Sequence, residues 1–125
     1  MDLSPRRFGD AVVVSPIGRV DQSSAEAFQK ALASPLQGCV AGGEHVILDL
    51  SRLEYISSAG LRVLMLAAKQ CKAQKGTLLV TGLQPLVREI LEISKFTLVF
   101  TITPSLRDAL AKASPNALAA FEKAA

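Results

Sequence analysis

Two consecutive serines at the start of a predicted helix are the residues of this chain best placed to do chemistry. Ser57 and Ser58 follow a predicted connector and lead through Ala59-Gly60 into an apolar helical stripe. A helix N-terminus presents unpaired backbone N–H groups and the positive end of the helix dipole. This position suits a phosphate group, either bound or attached covalently to a serine. The alternative is structural, with Ser57 capping the helix and Ala59-Gly60 allowing close packing.

The other reactive side chains do not indicate an enzyme or a metal centre. His45 lies at the entrance to a predicted strand, and Cys71 falls on the apolar face of a helix, where we expect a buried thiol. Cys39 lies in a loop without recognisable activating neighbours. A structural zinc site needs four ligands, and only His45 could join the two thiols. With no phosphate-loop or nucleophile motif in the sequence, we expect no catalytic residue, no metal and no cofactor.

Composition favours one domain that binds neither nucleic acid nor a bilayer. The 125 residues are 50% hydrophobic and 20% charged, which suffices for a core without disulfides. The net charge of +3 comes from scattered Lys and Arg, and there is no Trp for base stacking. No apolar run approaches the ~18 residues of a membrane span, and two cysteines suggest free thiols in a reducing compartment. We therefore expect a cytoplasmic protein without direct membrane insertion.

Strands and helices are predicted to alternate, which is typical of an α/β fold with a mostly parallel sheet. The predicted strands cover residues 11–14 and onward past Pro16 towards Arg19, 46–48, 77–81 and 98–102, with an antiparallel N-terminal partner within 3–8. Residues 51–56 are predicted to form a connector.

About four helices are expected. They begin after Ser23 or Ser24, after the serine pair, at Pro85 and after Ser105, and Pro35 is predicted to end the first. We assign residues 1–113 to the domain and 114–125 to an Ala-rich tail or short helix. The residues expected to face the core from the first three helices are Ala27, Phe28, Ala31, Leu32, Leu61, Leu64, Met65, Ala68, Cys71, Leu86, Val87, Ile90 and Leu91.

The segment from Val46 to Leu64 resembles the signature of the STAS domain, and more narrowly that of bacterial anti-sigma factor antagonists. Three further stretches agree in order and spacing, so the resemblance runs from about residue 8 to residue 113. These stretches are Gly18-Arg19-Val20-Asp21, Gly82-Leu83-Gln84-Pro85 and Thr103-Pro104-Ser105-Leu106.

This resemblance implies a binding module whose partner is an anti-sigma factor that is also a serine kinase of the GHKL type. Members of the family read D-S-[ST]-G-[LI] at the second helix, which places the phosphorylatable serine at Ser58, with Ser57 as second choice. A PP2C-like phosphatase is then expected to reverse the modification. The implied partner-binding residues are Asp21, Ser23, Ser24, Ser57, Ser58, Ala59, Gly60 and Arg62.

Two other functions use the same features. One is a STAS subunit that is never phosphorylated and serves a membrane lipid-transport ABC complex. The other is a module that senses a nucleotide or another anion at the helix N-terminus. Co-purification with an ATP-binding subunit would favour the first, and saturable protection by ATP or GTP in a thermal melt would favour the second.

Overall fold

The computed structural model describes residues 1–124, in which strands alternate with helices almost throughout. The strands are β1 (Arg6–Phe8), β2 (Ala11–Val14), β3 (Gly18–Val20), β4 (His45–Asp49), β5 (Leu53–Ile56), β6 (Leu78–Thr81) and β7 (Thr101–Thr103). The helices are α1 (Ala25–Gln37), α2 (Ser58–Ala73), α3 (Pro85–Ile93), α4 (Leu106–Ala113) and α5 (Pro115–Ala124), with a single 3-10 turn at Phe96–Leu98. Residues 1–124 thus contain five α-helices: the four that were expected, and a fifth in the segment for which a tail or a short helix was predicted.

The main sheet has five strands in the order β1-β2-β4-β6-β7. β1 pairs antiparallel with β2, and the other three pairings are parallel. The predicted fold class is therefore confirmed: an α/β domain with a mostly parallel sheet and an antiparallel N-terminal strand.

Alternate residues of the central strands supply two separate cores. Val12 and Val14 face a large core that includes side chains of α1, α2 and α3, whereas Ala11 and Val13 face a smaller core that includes side chains of α4 and α5. The strand period of two explains this division, because successive side chains point to opposite faces of a sheet. With helices on both faces, β2 is buried at all four residues, as expected of strands inside a parallel sheet.

A second, two-stranded sheet departs from the sequence-based prediction. β2 ends at Val14 instead of continuing past Pro16, and the chain forms a separate strand, β3. Its parallel partner is β5, which occupies most of the predicted connector 51–56. Because Pro16 has no N–H for a sheet ladder, the chain leaves the main sheet there.

Three other boundaries and faces differ from the prediction. Pro35 lies within α1 instead of ending it, and the buried Leu36 carries the helix on to Gln37. The last strand begins at Thr101, because the segment before it forms the 3-10 turn, in which Leu98 is 83% exposed. Leu86, expected in the core, is 49% exposed at the start of α3. Ala27, Ala31, Met65, Ala68 and Ile90 are only partly buried, whereas Phe28, Leu32, Leu61, Leu64, Cys71, Val87 and Leu91 are buried as predicted.

Helix α5 forms from the Ala-rich segment and packs beside the hairpin of β1 and β2. The rings of Phe8 and Phe121 meet edge to face with centroids 5.4 Å apart. The hydroxyl of Ser114 donates a hydrogen bond to the Asp10 carboxylate, which also lies 3.5 Å from Nε2 of His45. The Ser114 hydrogen bond is the main reason that the pKa of Asp10 is lowered from its ordinary value of 3.8.

This lowered pKa predicts a pH-dependent contribution of Asp10 to stability. The contribution is present above pH 3.8 and is lost as the pH falls through the lower pKa of the folded state. Asp10→Asn keeps an acceptor oxygen but removes the charge, so we expect a loss of less than about 1 kcal/mol near pH 7, since the site is partly exposed to solvent. In urea unfolding, this difference should vanish at the most acidic pH.

The control Glu89→Gln removes an exposed carboxylate from α3 and should leave the unfolding curve unchanged at each pH. If the free energies of unfolding of Asp10→Asn and wild type differ by the same amount from neutral to acidic pH, the Asp10 carboxylate is not the source of the pH dependence.

Candidate functional site

The start of α2 is fixed by Ser57, which performs the capping role considered above for this serine. Its Oγ accepts a hydrogen bond from the Gly60 N–H at 3.3 Å, and its backbone is extended, as is usual for an N-cap. The Ser57 N–H donates to the Val20 carbonyl at 2.8 Å. Ser57 is therefore bonded both to its own helix and to the end of β3.

Gly60 brings the first turn of α2 into direct contact with the two-stranded sheet. A Cβ atom at this position would lie 2.6 Å from Cγ1 of Ile56 and 2.8 Å from Cγ1 of Val20. Both distances are shorter than van der Waals contact allows, so only glycine lets the helix approach this closely. Ala59 beside it is half-buried, which agrees with the small residues predicted for a close-packed turn.

Ser58 is the first residue of α2 and is exposed, in contrast to the half-buried Ser57. The first turn of α2 contains no acidic residue, so no charged group of that turn offsets the positive end of the helix dipole. An added negative charge at Ser58 would lie at this positive end and remain in water. The structure thus separates two adjacent serines into one that caps the helix and one that solvent reaches.

The loop that follows β3 is organised by Asp21. Its Oδ1 accepts hydrogen bonds from the Ser23 hydroxyl at 2.6 Å, the Ser23 N–H at 3.0 Å and the Ser24 N–H at 3.2 Å. These bonds, that of the Ser23 hydroxyl first among them, lower the pKa of Asp21. Ser24 precedes α1 as predicted, but its Oγ accepts from the Asp21 N–H at 3.0 Å and makes no bond to the first turn.

Parallel pairing of β3 with β5 brings the predicted site residues to one edge. Val20 and Ile56 are partners at the ends of the two strands, so Asp21 and Ser57 both follow at the carboxyl edge. The loop containing Ser23 and Ser24 and the turn containing Ser58, Ala59 and Gly60 leave from this edge. Arg62 is exposed in the first turns of α2. We refer to residues 21–24 and 57–62 as the switch edge.

Arg19 and Tyr55 adjoin the switch edge and were not identified from the sequence. They are partners across β3 and β5, and the Arg19 guanidinium carbon lies 4.4 Å from the centre of the Tyr55 ring. This is a cation–π contact at the surface. The one feature of the sequence that could have pointed to this pair is the chain's single tyrosine, Tyr55, which lies three residues before Ser58.

The other reactive residues lie away from the switch edge. His45 begins β4 and contacts Asp10 near α5. Cys39 and Cys71 are buried free thiols, and the Cys39 thiol donates a hydrogen bond to the Thr77 carbonyl at 3.3 Å. A hydrogen bond with Cys39, together with burial, raises the pKa of Cys71. Within residues 1–124, no three His, Cys, Asp or Glu side chains cluster closely enough to hold a metal ion.

Comparisons with known proteins show similarity along nearly the whole chain. The family model described as the STAS domain matches residues 3–109. A protein of Bordetella bronchiseptica to which the role of anti-sigma factor antagonist is ascribed, BtrV, is 40% identical over 118 residues, which cover 94% of this chain and 98% of that protein.

Two solved structures share the fold. An anti-sigma factor antagonist of Mycobacterium paratuberculosis gives a TM-score of 0.78 at 23% identity, covering 87% of this chain and 90% of that one. The Bacillus cell fate determinant SpoIIAA in its phosphorylated form gives a TM-score of 0.65 at 15% identity, covering 89% and 98% of the two chains.

The different surroundings of the two serines predict different costs of removing each hydroxyl. Ser57→Ala deletes the cap and should lower the free energy of unfolding by about 0.5–2 kcal/mol. Ser58→Ala changes an exposed hydroxyl and should stay within about 0.5 kcal/mol of wild type. Urea denaturation monitored by circular dichroism measures both. Equal costs for the two variants would show that the division of roles is wrong.

Proposed function

The chain belongs to the STAS domain family, as the sequence motifs indicated, and on that basis we propose that it is an anti-sigma factor antagonist. It acts as a cytoplasmic binding module that sequesters an anti-sigma factor. That partner is also a GHKL-type serine kinase, which phosphorylates Ser58 and is thereby released. A PP2C-like phosphatase restores the binding form. In residues 1–124, no helix has the length and hydrophobicity needed to cross a membrane.

The observation that carries this proposal is the exposure of Ser58 at the first position of α2. A kinase must reach the hydroxyl oxygen that accepts the phosphate, and Ser58 offers it to solvent. Ser57 is half-buried and its oxygen already accepts the Gly60 N–H, so its modification would break the cap. This contrast favours Ser58 as the target of the kinase and leaves Ser57 with the structural role of capping the helix.

Phosphorylation at this position changes charge while preserving the fold. A phosphoserine adds about −1.5 to −2 charges near neutral pH. The unneutralised end of α2 favours that charge by about 0.3–1 kcal/mol, so the helix should persist. Asp21, whose lowered pKa keeps it ionised, leaves from the same edge. The modified switch edge would therefore present two negative groups where the free form presents one.

The proposed consequence is loss of binding through electrostatics and desolvation. Burying a new anion against a docked partner can cost several kcal/mol. A loss of about 2.8 kcal/mol already weakens binding ~100-fold. The 40% identical relative, to which the antagonist role is ascribed, supports the partner class. The Bacillus structure in a phosphorylated form supports the type of modification.

This chain differs from the family pattern on both sides of Ser58, and Ala59 stands where the pattern has a second serine or threonine. Ser57 stands where the D-S-[ST]-G-[LI] pattern has aspartate. Both residue types cap helices well, so the helix start is retained, while one negative charge is removed beside Ser58. A kinase that phosphorylates this chain would therefore have to recognise a helix start that is less acidic than the one in the family pattern.

Phosphopeptide mapping tests the modification directly. After incubation with ATP and the candidate kinase, we expect a mass gain of ~80 Da, for one phosphate, on the peptide containing Ser58. Ser58→Ala should abolish the gain, whereas Ser57→Ala, a matched serine deletion next to it, should retain it. A gain that persists in Ser58→Ala would overturn the assignment. An unmodified chain that still purifies with an ATP-binding subunit would instead favour the fixed-subunit function.

Binding measurements test the switch itself. Ser58→Ala should bind the kinase partner as wild type does and should remain bound when ATP is added. Ser58→Asp should bind at least about tenfold more weakly, yet melt within a few degrees of wild type, because an acidic residue is favourable at a helix start. Isothermal titration and thermal melts provide the two readouts. Equal affinities of the alanine and aspartate variants would contradict a charge-based switch.

A further inference from the structure

A second feature lies on the main sheet, outside the switch edge. A cavity of about 430 Å³ opens where β2 and β4 end. The carboxyl ends of parallel strands are where ligands of α/β proteins commonly bind, and this volume lies in the range of small-molecule pockets. Its lining residues are Ser4, Arg6, Ser15, Ile17, Asp49, Ser51 and Arg52.

The lining carries an excess of positive charge. The lining includes two arginines, Arg6 and Arg52, and one acidic residue, Asp49. Arg6 Nη2 lies 3.8 Å from Asp49 Oδ2, a loose ion pair with half of the arginine side chain exposed. Across residues 1–124, no carboxylate lies within 4.0 Å of the Arg52 guanidinium. One guanidinium therefore remains available for an anion.

Hydrogen bonds hold the backbone of the cavity in place. The Gly18 N–H donates to the Arg52 carbonyl at 2.9 Å, and the Ser51 N–H donates to Asp49 Oδ1 at 3.1 Å. Gln84 Nε2 donates to the Ser51 carbonyl at 2.8 Å. Because these bonds use backbone groups, they leave the Arg52 guanidinium and the Ser51 hydroxyl free to contact a ligand.

Ser15 belongs to the lining of the same cavity. The residue is 7% exposed, and its N–H is committed to the Leu3 carbonyl at 2.7 Å. Its Oγ belongs to a residue of the lining and, because no fully buried side-chain oxygen of residues 1–124 lacks a partner, this unbonded hydroxyl keeps contact with solvent. A ligand oxygen in the cavity would replace water at this hydroxyl.

From this arrangement we propose that the cavity binds a phosphate group, held by Arg52 and Arg6 and by the hydroxyls of Ser15 and Ser51. Arginine suits phosphate because its planar fork donates two hydrogen bonds to neighbouring oxygens. Ile17, which is 49% exposed at the rim, offers an apolar surface to an organic group attached to the phosphate. The site is separate from Ser58, so it does not depend on the proposed switch.

Titration of the purified, unphosphorylated chain tests this site without any partner. The probes are inorganic phosphate and phenyl phosphate at constant ionic strength, and the readout is the backbone amide shifts of residues 15–18 and 49–52 in NMR spectra. We expect saturable shifts in these segments. If phenyl phosphate binds more tightly than inorganic phosphate, the ligand is an organic monoester. If the two bind equally, the ligand is the free ion. Either result supports the site.

Variants of equal charge change separate the cavity from other basic surfaces. Arg52→Gln should weaken phosphate binding at least about tenfold, as expected for loss of a charged hydrogen bond. Arg88→Gln, which removes an exposed arginine from α3, should change it less than twofold. Ser15→Ala, which leaves the charge unaltered, should weaken it severalfold. Shifts that grow linearly without saturation, or equal losses in Arg52→Gln and Arg88→Gln, would overturn the proposal.

Discussion

The contact between the first turn of α2 and the end of β3 is the constraint on which the rest of the switch edge depends. The hydrogen bond from the Ser57 N–H to the Val20 carbonyl fixes where the helix begins. The missing side chain at Gly60 lets that turn lie directly on Val20 and Ile56. Because Asp21 follows Val20 at once, the same contact places its loop beside the helix start. The position of Ser58 at the start of the helix follows from this contact.

The switch edge contains one carboxylate, that of Asp21, and one guanidinium, that of Arg62. The Asp21 carboxylate accepts hydrogen bonds from backbone N–H groups and a hydroxyl of its own loop, and these bonds hold the loop in shape. The first turn of α2 carries no acid. A negative charge added at Ser58 would therefore meet no acidic side chain in its own helical turn. It would change the charge of the surface more than the stability of the fold. This combination suits the modification that we propose for Ser58.

The sequence was sufficient to predict an element where a strand is buried on both faces or where a single residue is suited to cap a helix. The apolar run 46–48 predicted β4, and Ser105 accepts the Asp108 N–H at the predicted start of α4. It was insufficient for β3 and β5, which are three and four residues long and partly exposed, and which pair across a long stretch of chain. Leu98 and Val99 have strand-forming side chains, yet both are exposed, and Lys95 in a left-handed conformation starts the 3-10 turn before them.

The site shows the same division between local and long-range information. The sequence offered Ser57 as a helix cap, and the family resemblance assigned the phosphorylatable position to Ser58, but two adjacent serines satisfy the residue preferences of a cap equally well. The close approach required at Gly60 decides the matter, because it sets the helix register from contacts with Val20 and Ile56. The neighbouring Arg19 and Tyr55 became visible only once the pairing of β3 with β5 was known.

The two cores on opposite faces of the main sheet have a consequence for how such a protein can diverge. Side chains of α4 and α5 share one core, and the switch edge belongs to the helices and the small sheet that share the other. Only strand backbones lie between the two. Sequence drift can therefore remodel the α4–α5 layer, including its polar contacts to the hairpin, while the opposite layer keeps its geometry. Relatives of this chain that differ in the α4–α5 layer are therefore expected to keep the geometry of the switch edge.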